Sequence, residues 1–226
     1  MFVISVLNQK GGAGKTTIAT HLAKAYQILG NEVLLIDSDP QGSARDWAAS
    51  NENQPVSVIG IDRPNIEKSI LTISKGKDII VIDGAPQIAE LSVSAIKASN
   101  FILIPVQPSP YDLWATSDLV DLVKQRMEIT EGRVQAAFVV SRVIKGTKMS
   151  KQIAQVISGY DLPVLNTRIT QRVVYPSSAS NGLTAFDIDP HSEASNDFMN
   201  LIKEIEDMRI KLFPHILNHS IPEAHI

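Results

Sequence analysis

The chain has 226 residues, 44% of them hydrophobic, which suits one sizeable α/β domain with a true core and would crowd two. It has no cysteine, so a disulfide framework, a thiolate metal site and a cysteine nucleophile are excluded, and a cytoplasmic location fits. A net charge of −3 argues against a chain-wide field for nucleic acid, and no apolar run reaches the roughly 18 residues a membrane span needs.

Phe2 to Leu7 (FVISVL) is apolar and partly β-branched, the pattern of a strand buried on both faces of a parallel sheet. A glycine-rich loop, NQKGGAGKTT, occupies residues 8–17. Beyond it, Ile18, Leu22, Ala25, Tyr26 and Leu29 recur at helical spacing, so a helix is expected over Thr16–Leu29 with Gly30 as its stop. A strand, a glycine loop and a helix N-terminus make an anion site, because unpaired N–H groups and the positive helix end converge on phosphate. The nucleotide contacts expected here are Gly11, Gly12, Ala13, Gly14, Lys15, Thr16 and Thr17, with Lys15 reaching the outer phosphates and the Thr16 hydroxyl on Mg²⁺.

Strands are expected at Glu32–Asp39, Val56–Ile61, Asp78–Asp83, Phe101–Val106, Val134–Ser141 and Val164–Ile169, separated by helix-length segments. Such alternation implies a doubly wound, mostly parallel α/β sheet with helices on both faces and ligands at the carboxyl ends of its strands. Amphipathic helices are expected over Asp112–Met127 and through Phe198, Leu201, Ile202, Ile205, Met208 and Leu212. Residues 1–213 thus read as one ATPase-sized domain, and 214–226 as an extended tail. Asp83 ends the strand IIVID beside the phosphate loop, where an acid can hold Mg²⁺. Charge is sorted along the chain: Arg142, Lys145, Lys148, Lys151, Arg168 and Arg172 face only Asp161 in their stretch, and eight acids follow from Asp187 onward.

The strict loop pattern G-x-x-x-x-G-K-S/T fails, because Gln9 stands where its first glycine belongs. The sequence K-G-G-x-G-K-T-T resembles instead the deviant Walker A loop of the ParA/MinD family of P-loop ATPases. That resemblance implies ATP and Mg²⁺ as ligands, and an ATP-dependent homodimer in which Lys10 crosses to the partner's phosphates. The segment Asp37-Ser38-Asp39-Pro40-Gln41 is similar to the family's switch I, which implies that Asp39 orients the attacking water while Asp37 supports the Mg²⁺ shell and the loop. FVVSR matches a strand end whose Asn-Arg contacts adenine in relatives; Ser141 replaces the asparagine, so only Arg142 carries over.

Only seven residues precede Asn8, so the resemblance is to the small partition ATPases without an added DNA-binding domain. It implies slow, dimerisation-dependent hydrolysis, non-specific DNA binding on the nucleoid, and a small centromere-binding adaptor that stimulates turnover. Arg168 and Arg172 are the leading DNA contacts, with Lys145, Lys148 and Lys151 behind them. A related ATPase that positions another cargo, such as a protein assembly or transfer DNA, is not separable from this reading by sequence, and two further alternatives stay open. A membrane-cycling ATPase of the MinD type would need a basic amphipathic C-terminal helix, whereas Lys203, Glu204, Glu206, Asp207, Arg209 and Lys211 balance to zero, so stable membrane association is not expected. A small-molecule synthetase or kinase would leave Lys10 unexplained.

Overall fold

Phe2–Val6 (β1), Val33–Asp37 (β2), Ser57–Gly60 (β3), Ile79–Asp83 (β4), Phe101–Val106 (β5), Gln135–Val143 (β6) and Val164–Thr170 (β7) form one seven-stranded sheet. Its order is β3-β2-β4-β1-β5-β6-β7, and every pairing among the described residues is parallel. The computed structural model describes residues 1–53, 56–87, 89–109, 115–144 and 157–212. The expected tail 214–226 lies outside them, as do Lys145, Lys148 and Lys151.

The four central strands are buried along their whole length, because alternate side chains serve two cores. Phe2, Ile4, Val6, Ile79, Val81, Phe101 and Leu103 point to one face. Val3, Leu7, Ile80, Ile82, Ile102, Ile104 and Val106 point to the other. The first face is covered by Lys15–Ile28 (α1) and by the long C-terminal helix Glu193–Leu212. The second is covered by Ile66–Ile73 (α3), Ala89–Ala98 (α4) and Ser117–Ile129 (α5) through Ile66, Ile70, Ala95, Ile96, Leu119, Val120 and Val123. Among the described residues three shorter α-helices remain, Ser43–Ala49 (α2), Val174–Ala179 (α6) and Ala185–Ile188 (α7), so Glu193–Leu212 is α8.

The apolar stripe of α8 is core: Phe198, Leu201, Ile202 and Ile205 are buried against the sheet. Among the described residues no helix is long and apolar enough to cross a membrane. Helix α1 ends as its glycine requires. Gly30 takes φ 85, its N–H bonds Gln27 and the Asn31 N–H reaches Tyr26, which satisfies the last free carbonyls. Helix α5 begins at Ser117, later than the expected Asp112; residues 110–114 are outside the described set.

Candidate nucleotide site

The strand order places β1 between β4 and β5, with the chain winding outward on either side, so a crevice opens where the strand ends diverge. The glycine loop leaves β1 at that point. Gly12 (φ 77) and Gly14 (φ 89) take left-handed conformations that a side chain would strain, and Gly14 caps α1 without any side-chain bond. The loop is held from several sides. Asn8 Nδ2 donates to the Pro105 carbonyl at 2.6 Å, and Asn8 Oδ1 accepts from the Lys10 N–H at 2.8 Å. Gln107 Nε2 and Arg142 Nη1 both donate to the Gly12 carbonyl at 2.9 Å. Ser141 Oγ donates to the Ala13 carbonyl at 2.8 Å.

These four braces come from the ends of β1, β5 and β6, and they preorganise a loop that a flexible glycine run would otherwise leave mobile. Arg142 reaches the loop because its backbone sits at φ 52, an uncommon conformation for a residue with a side chain. Sequence reasoning placed Arg142 at a base and missed Asn8, Gln107 and Ser141 as braces. Their partners lie about a hundred residues away, and no local pattern announces them.

Lys15 folds back over the loop, with Nζ donating to the Lys10 carbonyl at 2.9 Å. Burial lowers its pKa, and the nearby acids Asp83 and then Asp39 oppose that fall. The Lys10 main chain is thereby bonded at both N–H and carbonyl, and its side chain is half-buried.

Asp37 and Asp83 stand side by side at the ends of β2 and β4, with Val6 of β1 next in register. They differ in what they bind. Asp83 is 1% exposed and neither carboxylate oxygen has a hydrogen-bonding partner in good geometry. Burial raises its pKa to about 7, with Asp37 and Asp39 adding to the rise and the nearby Thr16 hydroxyl and Lys15 ammonium opposing it. An orphaned buried carboxylate is costly unless a cation completes it. Asp83 and the Thr16 hydroxyl therefore fit Mg²⁺ at the phosphate site. Gly84 follows because the chain passes directly over β1: its N–H bonds the Val6 carbonyl at 3.1 Å, and a Cβ there would meet that carbonyl at 2.8 Å.

Asp37 is wholly buried, and its Oδ1 accepts from the Asp39 N–H at 3.0 Å while Oδ2 accepts from the N–H groups of Ala44 and Arg45 at 3.1 and 2.9 Å. These bonds fold the 38–45 loop and cap α2. Asp39 lies across from the phosphate loop, on the wall of an open cleft of about 470 Å³ that Gly11, Gly14, Lys15, Thr16, Arg142 and Arg172 also line.

The basic stretch looks different in space. Arg172 bonds Glu193 at 2.9 Å and Asp197 at 3.4 Å, so the acids that follow in sequence fold back onto it. Arg168 sits on β7, partly buried.

Residues 4–217 match the family model described as the CobQ/CobB/MinD/ParA nucleotide binding domain. The chain belongs to this family. Among its relatives, the maintenance of carboxysome distribution protein A of Halothiobacillus neapolitanus is 29% identical over 205 residues, covering 89% of this chain and 94% of the relative. The sporulation initiation inhibitor protein Soj of Bacillus subtilis is 26% identical over 247 residues, covering 90% and 97%. Solved structures agree in fold: apo McdA of Cyanothece superposes with a TM-score of 0.74 at 16% identity, over 91% of this chain and 99% of that one. MinD of Aquifex aeolicus gives 0.71 at 17% over 92% and 98%. The seven-stranded parallel sheet with its phosphate loop is thus the P-loop fold of the ParA/MinD group.

Proposed function

We propose that the chain is a Mg²⁺-dependent ATPase whose ATP-bound form pairs face to face, holds DNA without sequence preference and is reset by adaptor-stimulated hydrolysis, so that a DNA cargo is positioned on the nucleoid. The observation that carries this reading is the orphaned, buried Asp83 carboxylate beside the phosphate loop, with Asp39 on the wall of the cleft that the loop lines. Phosphoryl transfer to water asks for positioning and charge neutralisation more than covalent chemistry, and the loop supplies both. The N–H groups of Gly11 to Lys15 bind the outer phosphates and Lys15 moves from the Lys10 carbonyl to them. Asp39 orients the water. Asp83 and Thr16 hold Mg²⁺, which when bound neutralises charge on the phosphate oxygens. Lys10 completes the site across the pair, which makes turnover conditional on dimerisation.

DNA contact is assigned to Arg168 together with Lys145, Lys148 and Lys151, which lie outside the described residues. Arg172 contributes once its bonds to Glu193 and Asp197 are exchanged for phosphate. The apolar face of α8 is committed to the core, which disfavours the membrane-cycling alternative. A second reading keeps the mechanism and changes the cargo to a protein assembly. The 29% identity to a carboxysome distribution protein favours it. Deleting the gene separates them: loss of a replicon from dividing cells supports DNA cargo, and mislocalised protein particles with replicons retained support the other. Release of phosphate from ATP by the purified chain, raised by DNA and adaptor, is the expected activity; ATP turnover that ignores both contradicts the switch.

A further inference from the structure

Arg45 is the one charged side chain of the first turn of α2 that turns back under the hydrolytic loop. Its Nη2 donates to the Asp39 carbonyl at 3.0 Å and its Nε stands 3.5 Å from Asp37 Oδ2. Asp39 is otherwise fixed by its N–H on Asp37 Oδ1, by Gly42 N–H on its carbonyl at 2.9 Å, and by the Gln41 N–H on its own Oδ1 at 2.9 Å. The first of those bonds ties Asp39 to the end of β2, and the other two are internal to the loop. Arg45 adds a side-chain tie from Asp39 to α2, which is anchored elsewhere: Trp47 Nε1 donates to the Leu183 carbonyl at 3.0 Å.

The space for this tie is made by Gly60, which pairs with Asp37 in the sheet register. A Cβ on Gly60 would meet Arg45 Cδ and Nη1 at 2.9 Å, so a side chain there forces the guanidinium to shift from this seat. Gly60 has no positive φ to explain it, and the stem of Arg45 does. The guanidinium hydrogen-bonds the Asp39 carbonyl through Nη2 and stands beside the Asp37 carboxylate as an ion pair without a hydrogen bond from Nε, a spread-out contact that the point charge of a lysine reproduces only in part.

We propose that Arg45 is a positioning residue for hydrolysis: seated over Gly60, it latches the Asp39 carbonyl to the buried Asp37 carboxylate and so holds Asp39 at the nucleotide cleft. Arg45 touches neither phosphate loop nor substrate, and acts only through Asp39. The inference rests on the ATPase reading for its consequence, and on the described geometry for the latch itself.

Two measurements test it on the full-length chain. In nucleotide-free protein, hydrogen exchange over residues 37–46 should accelerate at the amides of Asp39, Ala44 and Arg45 by up to about tenfold, the equivalent of one hydrogen bond, in both Arg45→Ala and Gly60→Ala. In turnover assays both variants should lose about 10- to 100-fold in kcat, as expected for a misplaced reacting group, with ATP affinity unchanged and with Arg45→Lys restoring part of the rate. Unchanged exchange in both variants overturns the latch. Faster exchange with wild-type kcat, or a fall in ATP affinity that matches the fall in kcat, overturns the positioning role. If the wild type releases no phosphate from ATP, the ATPase reading fails and the exchange measurement still decides the latch.

Discussion

Asp83 and His21 are both wholly buried, and their protons act on stability in opposite directions. His21 Nδ1 donates to the Thr17 carbonyl at 2.7 Å, which makes Nε2 the acceptor of the Ala185 N–H at 3.0 Å, and the ring stacks on Phe198. Burial pushes its pKa down to about 4, so its contribution is complete above the unfolded value near 6.5 and is lost as pH falls through 4. Asp83, raised to about 7, binds its proton more tightly when folded, so its contribution is present at acid pH and lost as pH rises through 7. In the wild type the two slopes oppose between pH 4 and 6.5. Asp83→Asn should expose the His21 slope, with stability rising across that window by on the order of 3 kcal/mol, and His21→Gln should expose the falling one. Urea unfolding of the nucleotide-free protein at each pH checks this, and identical profiles in both variants would contradict it. Lys10→Ala should keep ATP binding and lose adaptor-stimulated turnover, whereas Asp39→Ala should accumulate an ATP-bound pair by size-exclusion chromatography. The loop residues were legible because a phosphate site is written in consecutive residues. Arg45, Gln107 and Ser141 were not, since each is defined by a partner that only folding supplies.

At the level of elements, burial decided what could be read. Strands β1, β2, β4 and β5 are apolar throughout because both faces are covered, and their expected bounds agree with the observed ones to within two residues at each end. Helix α2 has seven residues, too few for periodicity, and exists because Asp37 caps it through the Ala44 and Arg45 amides from the end of β2. The same reasoning explains α6 and α7, which pack beneath α1 around His21. Strand β7 is an edge, and its Asn166 and Thr167 N–H groups are both taken by Glu204 of α8 at 2.7 Å. A long unpaired edge invites association, so Glu204→Ala should increase aggregation near neutral pH, measured by light scattering, more than it lowers the unfolding midpoint. Phe198→Ala, at a fully buried site between α8 and the sheet, should cost roughly 3–5 kcal/mol in urea unfolding.

At the scale of the molecule, alternating strands and helices announced a parallel doubly wound sheet, but the order β3-β2-β4-β1-β5-β6-β7 was not legible, because crossover choice depends on which helices pack together. Charge shows the same gap between chain and space. The basic stretch and the acidic C-terminal segment are separate in sequence, and Arg172 joins them across the β7–α8 contact. The proposed DNA binding would draw on a partly neutralised face, and its affinity should be modest, salt-dependent and dependent on pairing two such faces. The direct test is fluorescence anisotropy of an arbitrary-sequence duplex titrated with the purified chain and Mg²⁺ in ATP, in ADP and without nucleotide, over a salt series. The account predicts binding with ATP alone, with log affinity falling linearly in log salt. Equal binding in all three nucleotide states, or none in ATP at low salt, would contradict it.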